Sequence, residues 1–111
     1  MDLIQDVDFL TEKKLIFRIV ILKKSNAFFV SLQEKKDLFE ELFSVGESFY
    51  NAKDAFECAV KKLLAYIDGN NYVGEVIRVN NPCNCSLICL SDQKLILKHL
   101  KLNVLVEVNS G

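Results

Sequence analysis

Glycine is too sparse in this chain to build a phosphate cradle. Gly46, Gly69, Gly74 and Gly111 are scattered, whereas a nucleotide loop needs glycines close together so that backbone N–H groups can reach the phosphates. Histidine is rarer still: His99 stands alone, one conventional base for any nucleophilic cysteine. Long apolar runs are missing too. Leu15 to Leu22 is the longest and Arg18 interrupts it, against about 20 residues for a membrane-spanning helix. The first twelve residues hold Asp2, Asp6, Asp8 and Glu12 and no base, the opposite of a secretory leader's basic start. A cytoplasmic location with reduced cysteines is therefore expected. Nor does one charge dominate: 14 basic residues face 15 acidic ones, which argues against a general nucleic-acid binder; with no spanning run, no membrane partner is expected either.

What the chain does have is core material. Half of its 111 residues are hydrophobic, with eight Phe and three Tyr, enough for one folded domain and too few residues for two. The expectation is an acidic, loosely ordered segment at 1–12 followed by a single α+β domain at 13–111. Leu15, Phe17, Ile19 and Ile21 share one parity, and Ile16, Val20 and Leu22 the other. A β-branched run apolar on both sides predicts a central strand covered above and below. Lys24-Ser25-Asn26 supplies turn chemistry, and Ala27 to Leu32 completes an N-terminal hairpin.

Leu38, Phe39, Leu42 and Phe43 have helical spacing, closed by Gly46. Ala52, Ala55, Phe56, Ala59, Val60, Leu63, Leu64 and Ile67 form a longer helical stripe, capped by Ser48 or Asn51 and ended by Asp68-Gly69-Asn70-Asn71. Val73 to Val79 and Leu87 to Leu90 read as strands, residues 91–102 as a short helix in close competition with a strand, and Val104, Val106 and Val108 as a last strand. The order ββααββαβ groups strands at both ends, an α+β pattern.

Cysteine placement is the sharpest chemical feature. Cys83, Cys85 and Cys89 with His99 supply the donors of a tetrahedral zinc shell. The Cys-x-Cys spacing differs, however, from paired zinc knuckles and from the Cys-x-x-Cys of redox sites. Cys58 falls about 140° from the centre of the long helix's apolar stripe and reads as an edge cysteine. For nucleic acid, Lys13, Lys14, Lys23 and Lys24 bracket the first strand, with Phe28 and Phe29 on the next. These two rings point to opposite faces, and core packing explains them better. Asp37, Glu40, Glu41 and Glu47 form an acidic strip on the outer side of the expected short helix, suited to a basic groove on another protein.

Gly46-Glu47-Ser48, then Asn51-Ala52, Ala55, Ala59 and Leu63 after two strands, resembles the strand-to-helix passage of HicB-type antitoxins over about twenty residues. That resemblance implies a small ββαβ-like unit presenting a surface to another protein. The chain departs from the pattern in the added helix at 37–43 and in lacking a recognisable C-terminal DNA-binding segment.

The expected function is a non-enzymatic protein-interaction module with no cofactor. In its sharp form it is a phage or mobile-element inhibitor that occludes a host defence or nucleic-acid-handling complex, in keeping with its small size, lack of Trp and Asn/Lys/Ile-rich makeup. In its bland form it is a homodimer or other oligomer that pairs through a terminal strand or the N-terminal hairpin. The alternative is a small zinc-binding or nucleic-acid-binding domain that uses the cysteine cluster or the Lys-rich hairpin.

Overall fold

Parity along the strands decides the architecture. In the computed structural model, which describes residues 3–46, 48–82 and 86–108, the first three strands are β1 (Leu3–Thr11), β2 (Ile16–Lys24) and β3 (Ala27–Lys35). They form an antiparallel meander. An edge strand β4 (Phe39–Ser44) follows, then helix α1 (Ala52–Gly69), β5 (Val76–Asn81), helix α2 (Leu90–His99) and β6 (Leu105–Val108). The six strands make one mixed sheet in the order β4-β3-β2-β1-β5-β6, with β5 and β6 parallel.

Val7 and Phe9 of β1, Phe17, Ile19 and Ile21 of β2, and Val30 and Leu32 of β3 are buried on one face. Helix α1 covers that face with Ala52, Ala55, Phe56, Ala59, Val60 and Leu63, the stripe read from the sequence. Phe56 packs on Phe9 with ring centroids 6.2 Å apart. Its alanines let the helix approach the sheet closely, and Asn51 caps it, the side chain accepting from the Asp54 N–H at 2.8 Å. The Ser25 turn of the hairpin has φ 57°, the positive value a two-residue hairpin needs at its first central position.

Four expectations need correction. Residues 3–11 of the acidic segment form β1, a strand inside the sheet. Its buried parity contains Gln5 and Thr11 as well as Val7 and Phe9, which blurs the alternation. Residues 39–44, expected in a helix, form β4 paired to β3. A short run with apolar residues at i, i+1, i+4 and i+5 fits either period, and pairing with the free edge of β3 wins; Leu38, needed inside by the helix, is 80% exposed. Residues 87–89 are loop and Leu90 opens α2, so the ambiguous 91–102 segment is mostly helix and the order is ββββαβαβ. Finally, β2 is central but covered on one face only.

The loop before α2 is held by side chains where a ladder was expected. Gln5, 1% exposed, donates from Nε2 to the Ile88 carbonyl at 2.9 Å and accepts the Leu87 and Ile88 N–H groups at 2.8 and 2.9 Å. Beside it, buried Gln93 of α2 and Asn81 of β5 exchange amide hydrogen bonds of 2.8 and 3.0 Å. Asn81 also donates to the Glu107 carbonyl of β6 at 3.2 Å. Every buried side-chain polar atom among the described residues has a partner, as a buried network requires. Gln93→Leu takes the donor from buried Asn81 Oδ1, leaving Nδ2 its bond to Glu107, and is expected to cost about 2 kcal/mol in urea unfolding. The Asn81→Leu/Gln93→Leu pair is expected to cost less than the sum of the two single changes.

Candidate functional site

The other face of the sheet carries the candidate site. Its residues alternate with the core: Ile4, Asp6, Asp8 and Leu10 on β1, Ile16, Arg18, Val20 and Leu22 on β2, and Phe29, Ser31 and Gln33 on β3. None of them is buried. Both helices pack on the opposite face: α1 lies over the core, and Gln93 of α2 reaches Asn81 there.

Register places these side chains in rows across the strands. Ile4, Leu22 and Phe29 form one row; Asp6, Val20, Ser31 and Ser44 the next; Asp8, Arg18, Gln33 and Glu41 the third. The first rows shape an open hollow of about 380 Å³ lined by Ile4, Val20, Leu22, Phe29, Glu41 and Val45, among others. Ile4 is 60% exposed.

Beside the hollow lies an ordered charge cluster. Arg18 binds Asp8 through two nitrogens, Nε to Oδ1 at 2.7 Å and Nη2 to Oδ2 at 3.0 Å, the fork geometry of a strong guanidinium–carboxylate pair. Its Nη1 lies 3.6 Å from Asp6, and its guanidinium stacks 4.0 Å from the centre of the Phe39 ring. Partial burial, which leaves the side chain 21% exposed, pushes the Asp6 carboxyl above its ordinary range; Arg18 opposes this and the neighbouring Asp8 reinforces it. The ion pair and the upward shift pull in opposite directions, and burial wins because Arg18 is committed mainly to Asp8.

The residues singled out from the sequence are dispersed. Asp37 lies in the β3–β4 turn, Glu41 borders the hollow, and Glu40 aligns with Glu34 of the helix-covered parity and pairs with Lys36 at 3.6 Å. The acids therefore do not form one strip; Glu47 lies outside the described residues. Lys13 and Lys14 sit at the β1–β2 turn and Lys23 and Lys24 at the far end of β2, about 30 Å away at strand rise, so they are two separate basic sites. Phe28 packs toward the core and Phe29 lines the hollow. Cys83 and Cys85 lie outside the described residues. Cys89 and His99 stand at opposite ends of α2, about 15 Å apart by helical rise, farther than one metal ion can bridge. Cys58 is half-buried on the outer side of α1.

Sequence reading missed the Asp6–Asp8–Arg18 cluster because β1 was not read as a strand. The signal was there: two acids two residues apart must share a face in any strand. A second cluster lies on the helix side, where the Tyr72 hydroxyl donates to buried Glu34 at 3.0 Å and meets the Tyr66 hydroxyl. The Tyr66 bond foremost, then burial and Glu34, raise the Tyr72 pKa above the ordinary tyrosine range. This cluster ties the loop after α1 to β3.

The fold and site define a small α+β domain with one sheet face covered by helices and the other open. No protein family, curated protein or solved structure matches the chain. Among the described residues no helix is long and apolar enough to cross a membrane.

The raised Asp6 pKa has a definite sign. Between the ordinary value of 3.8 and the raised one, the folded state holds more protons than the unfolded state, so stability falls as pH rises through that window. Asp6→Asn is therefore expected to raise the Tm at pH 7 by a few degrees, with the gain shrinking as the pH approaches 3.8. An unchanged or lower Tm at pH 7 would mean that the Arg18 pair outweighs burial.

Proposed function

We propose that this domain is a non-enzymatic protein-interaction module whose contact surface is the open face of the sheet. One observation carries the reading: Ile4, Val20, Leu22 and Phe29 line a hollow on a face where no side chain of the three long strands is buried. Apolar side chains gathered at the surface around a concavity mark a contact site more often than scattered ones do. The four strands β1 to β4 offer roughly 20 Å by 30 Å, about 600 Å², close to the ~800 Å² per partner of a standard interface. The ordered Arg18 cluster adds polar groups that fix orientation, as specific interfaces require.

The narrower form of the proposal is an inhibitor that occludes a larger host complex. A small rigid domain with one broad contact face suits occlusion, since little ordering entropy is lost on docking. A cytoplasmic setting belongs to the same proposal.

The test compares substitutions on the two sides of the molecule. Phe29→Lys on the open face and Leu95→Lys on exposed α2 surface (Leu95 is 66% exposed) both add one charge. Tagged wild-type protein recovered from its native cell is expected to hold a partner protein in fixed ratio. Phe29→Lys is expected to lose it and Leu95→Lys to keep it, with both variants melting within a few degrees of wild type. Partner retention by Phe29→Lys would reject the open face as the contact surface.

A further inference from the structure

The charge around the hollow is unbalanced, and that imbalance says what fits it. Glu41 is the one charged side chain among those lining the hollow; Asp6 shares the row of Val20, Asp8 and Arg18 stand in the row of Glu41, and Lys24 follows Leu22 at the opposite end. Asp8 takes two of the Arg18 nitrogens, and Asp6 stands at 3.6 Å from a third. Glu41 is exposed, lines the hollow, and makes no ion pair among the described residues. Its neighbour Glu40 differs: it pairs with Lys36. An apolar floor thus meets acids on both flanks beside Val20, Asp6 on β1 and Glu41 on β4, with the base Lys24 set apart beyond Leu22.

We infer that the hollow receives an amphipathic helix of another protein, with leucine-type side chains along one stripe and lysine or arginine beside it. The inference rests on the open face being the contact surface. Apolar side chains of the helix fill the space among Ile4, Val20, Leu22 and Phe29, while its bases reach Glu41 and Asp6. Long basic side chains suit this geometry because their methylene stems lie along apolar surface and their charged ends reach the rim. A helix is favoured over an added strand because the hollow lies on the sheet's face and not along its edge. The opposite face is already covered by a helix, α1, which leaves this one to complete a three-layer arrangement. A second copy of the chain is the competing occupant, and the test separates the two.

The probe is a synthetic helix of about 18 residues, ~27 Å long, with Leu at i, i+3, i+4 and i+7 and Lys elsewhere. A matched peptide carries Glu in place of Lys. Fluorescence anisotropy near physiological salt is expected to show binding of the Lys peptide and a much weaker Glu peptide. Phe29→Ser is expected to weaken the Lys peptide about tenfold and Glu41→Lys about fivefold. Asp68→Lys, the same charge change at the exposed end of α1, is expected to stay within about twofold, which separates a site from general attraction.

Equal binding of the Glu peptide, or equal loss in Asp68→Lys, overturns the inference of a basic helix. So does failure of both peptides while sedimentation shows a dimer that Phe29→Ser dissociates; the face is then the contact surface and its occupant a second copy. If Phe29→Ser changes neither peptide binding nor association state, and partner capture is equally indifferent to Phe29→Lys, the open face itself is rejected.

Discussion

Burial of one sheet face under α1 is the constraint from which the other features follow. An extended sheet has two faces, and this chain has helical mass for only one. Eighteen residues of α1 and ten of α2 lie on the side of Phe9, Phe17 and Leu32. Because side chains alternate along a strand, seating Phe17, Ile19 and Ile21 beneath α1 turns Val20 and Leu22 outward. The apolar hollow is thus a consequence of how the core was filled, and the proposal of a contact site rests on its outward residues staying apolar where polar ones would serve solubility.

The Arg18 cluster lies within this uncovered face and tempers it. A guanidinium clamped by Asp8, approached by Asp6 and stacked on Phe39 fixes four side chains across β1, β2 and β4. Such a cluster is costly to bury and inexpensive to leave half-exposed, which accounts for its place on the uncovered face. Its stoichiometry leaves negative charge over, and Glu41 adds to it on the other flank of the hollow. In the proposed contact, shape and charge would select together: apolar contact from the floor, discrimination from the rim.

At the far side of the sheet the problem is different. Strands β5 and β6 are short, and the described residues 86–89 leading into α2 have no ladder of their own. Gln5 stands in for a strand by satisfying three backbone groups of Leu87 and Ile88, and the Asn81–Gln93 pair fastens α2 to β5. These amides fix where the C-terminal third of the chain sits, and each works only because its partners are in place. Gly74, with φ 76° and Glu12 and Lys13 side chains crowding the space of an absent Cβ, lets the loop before β5 pass the β1–β2 turn.

Much of this was legible in the residues. The α1 stripe, its Asn51 cap, the Ser25 turn and the α+β class follow from periodicity and local turn chemistry, which act within a few residues and need no partner to be read. The double-sided apolar character of β2 was legible too, but whether both faces would be covered was not. Nor were β1, whose pattern is broken by Gln5 and Thr11, or β4, whose short run suits two periods and is settled by hydrogen bonding to β3. Asp6, Asp8, Arg18 and Phe39 are spread over more than thirty residues of sequence and meet only because strand register brings them to one face. Local sequence determines which side chains share a side of an element; only the tertiary structure decides which sides are left facing solvent, because that depends on how much helix there is to cover them.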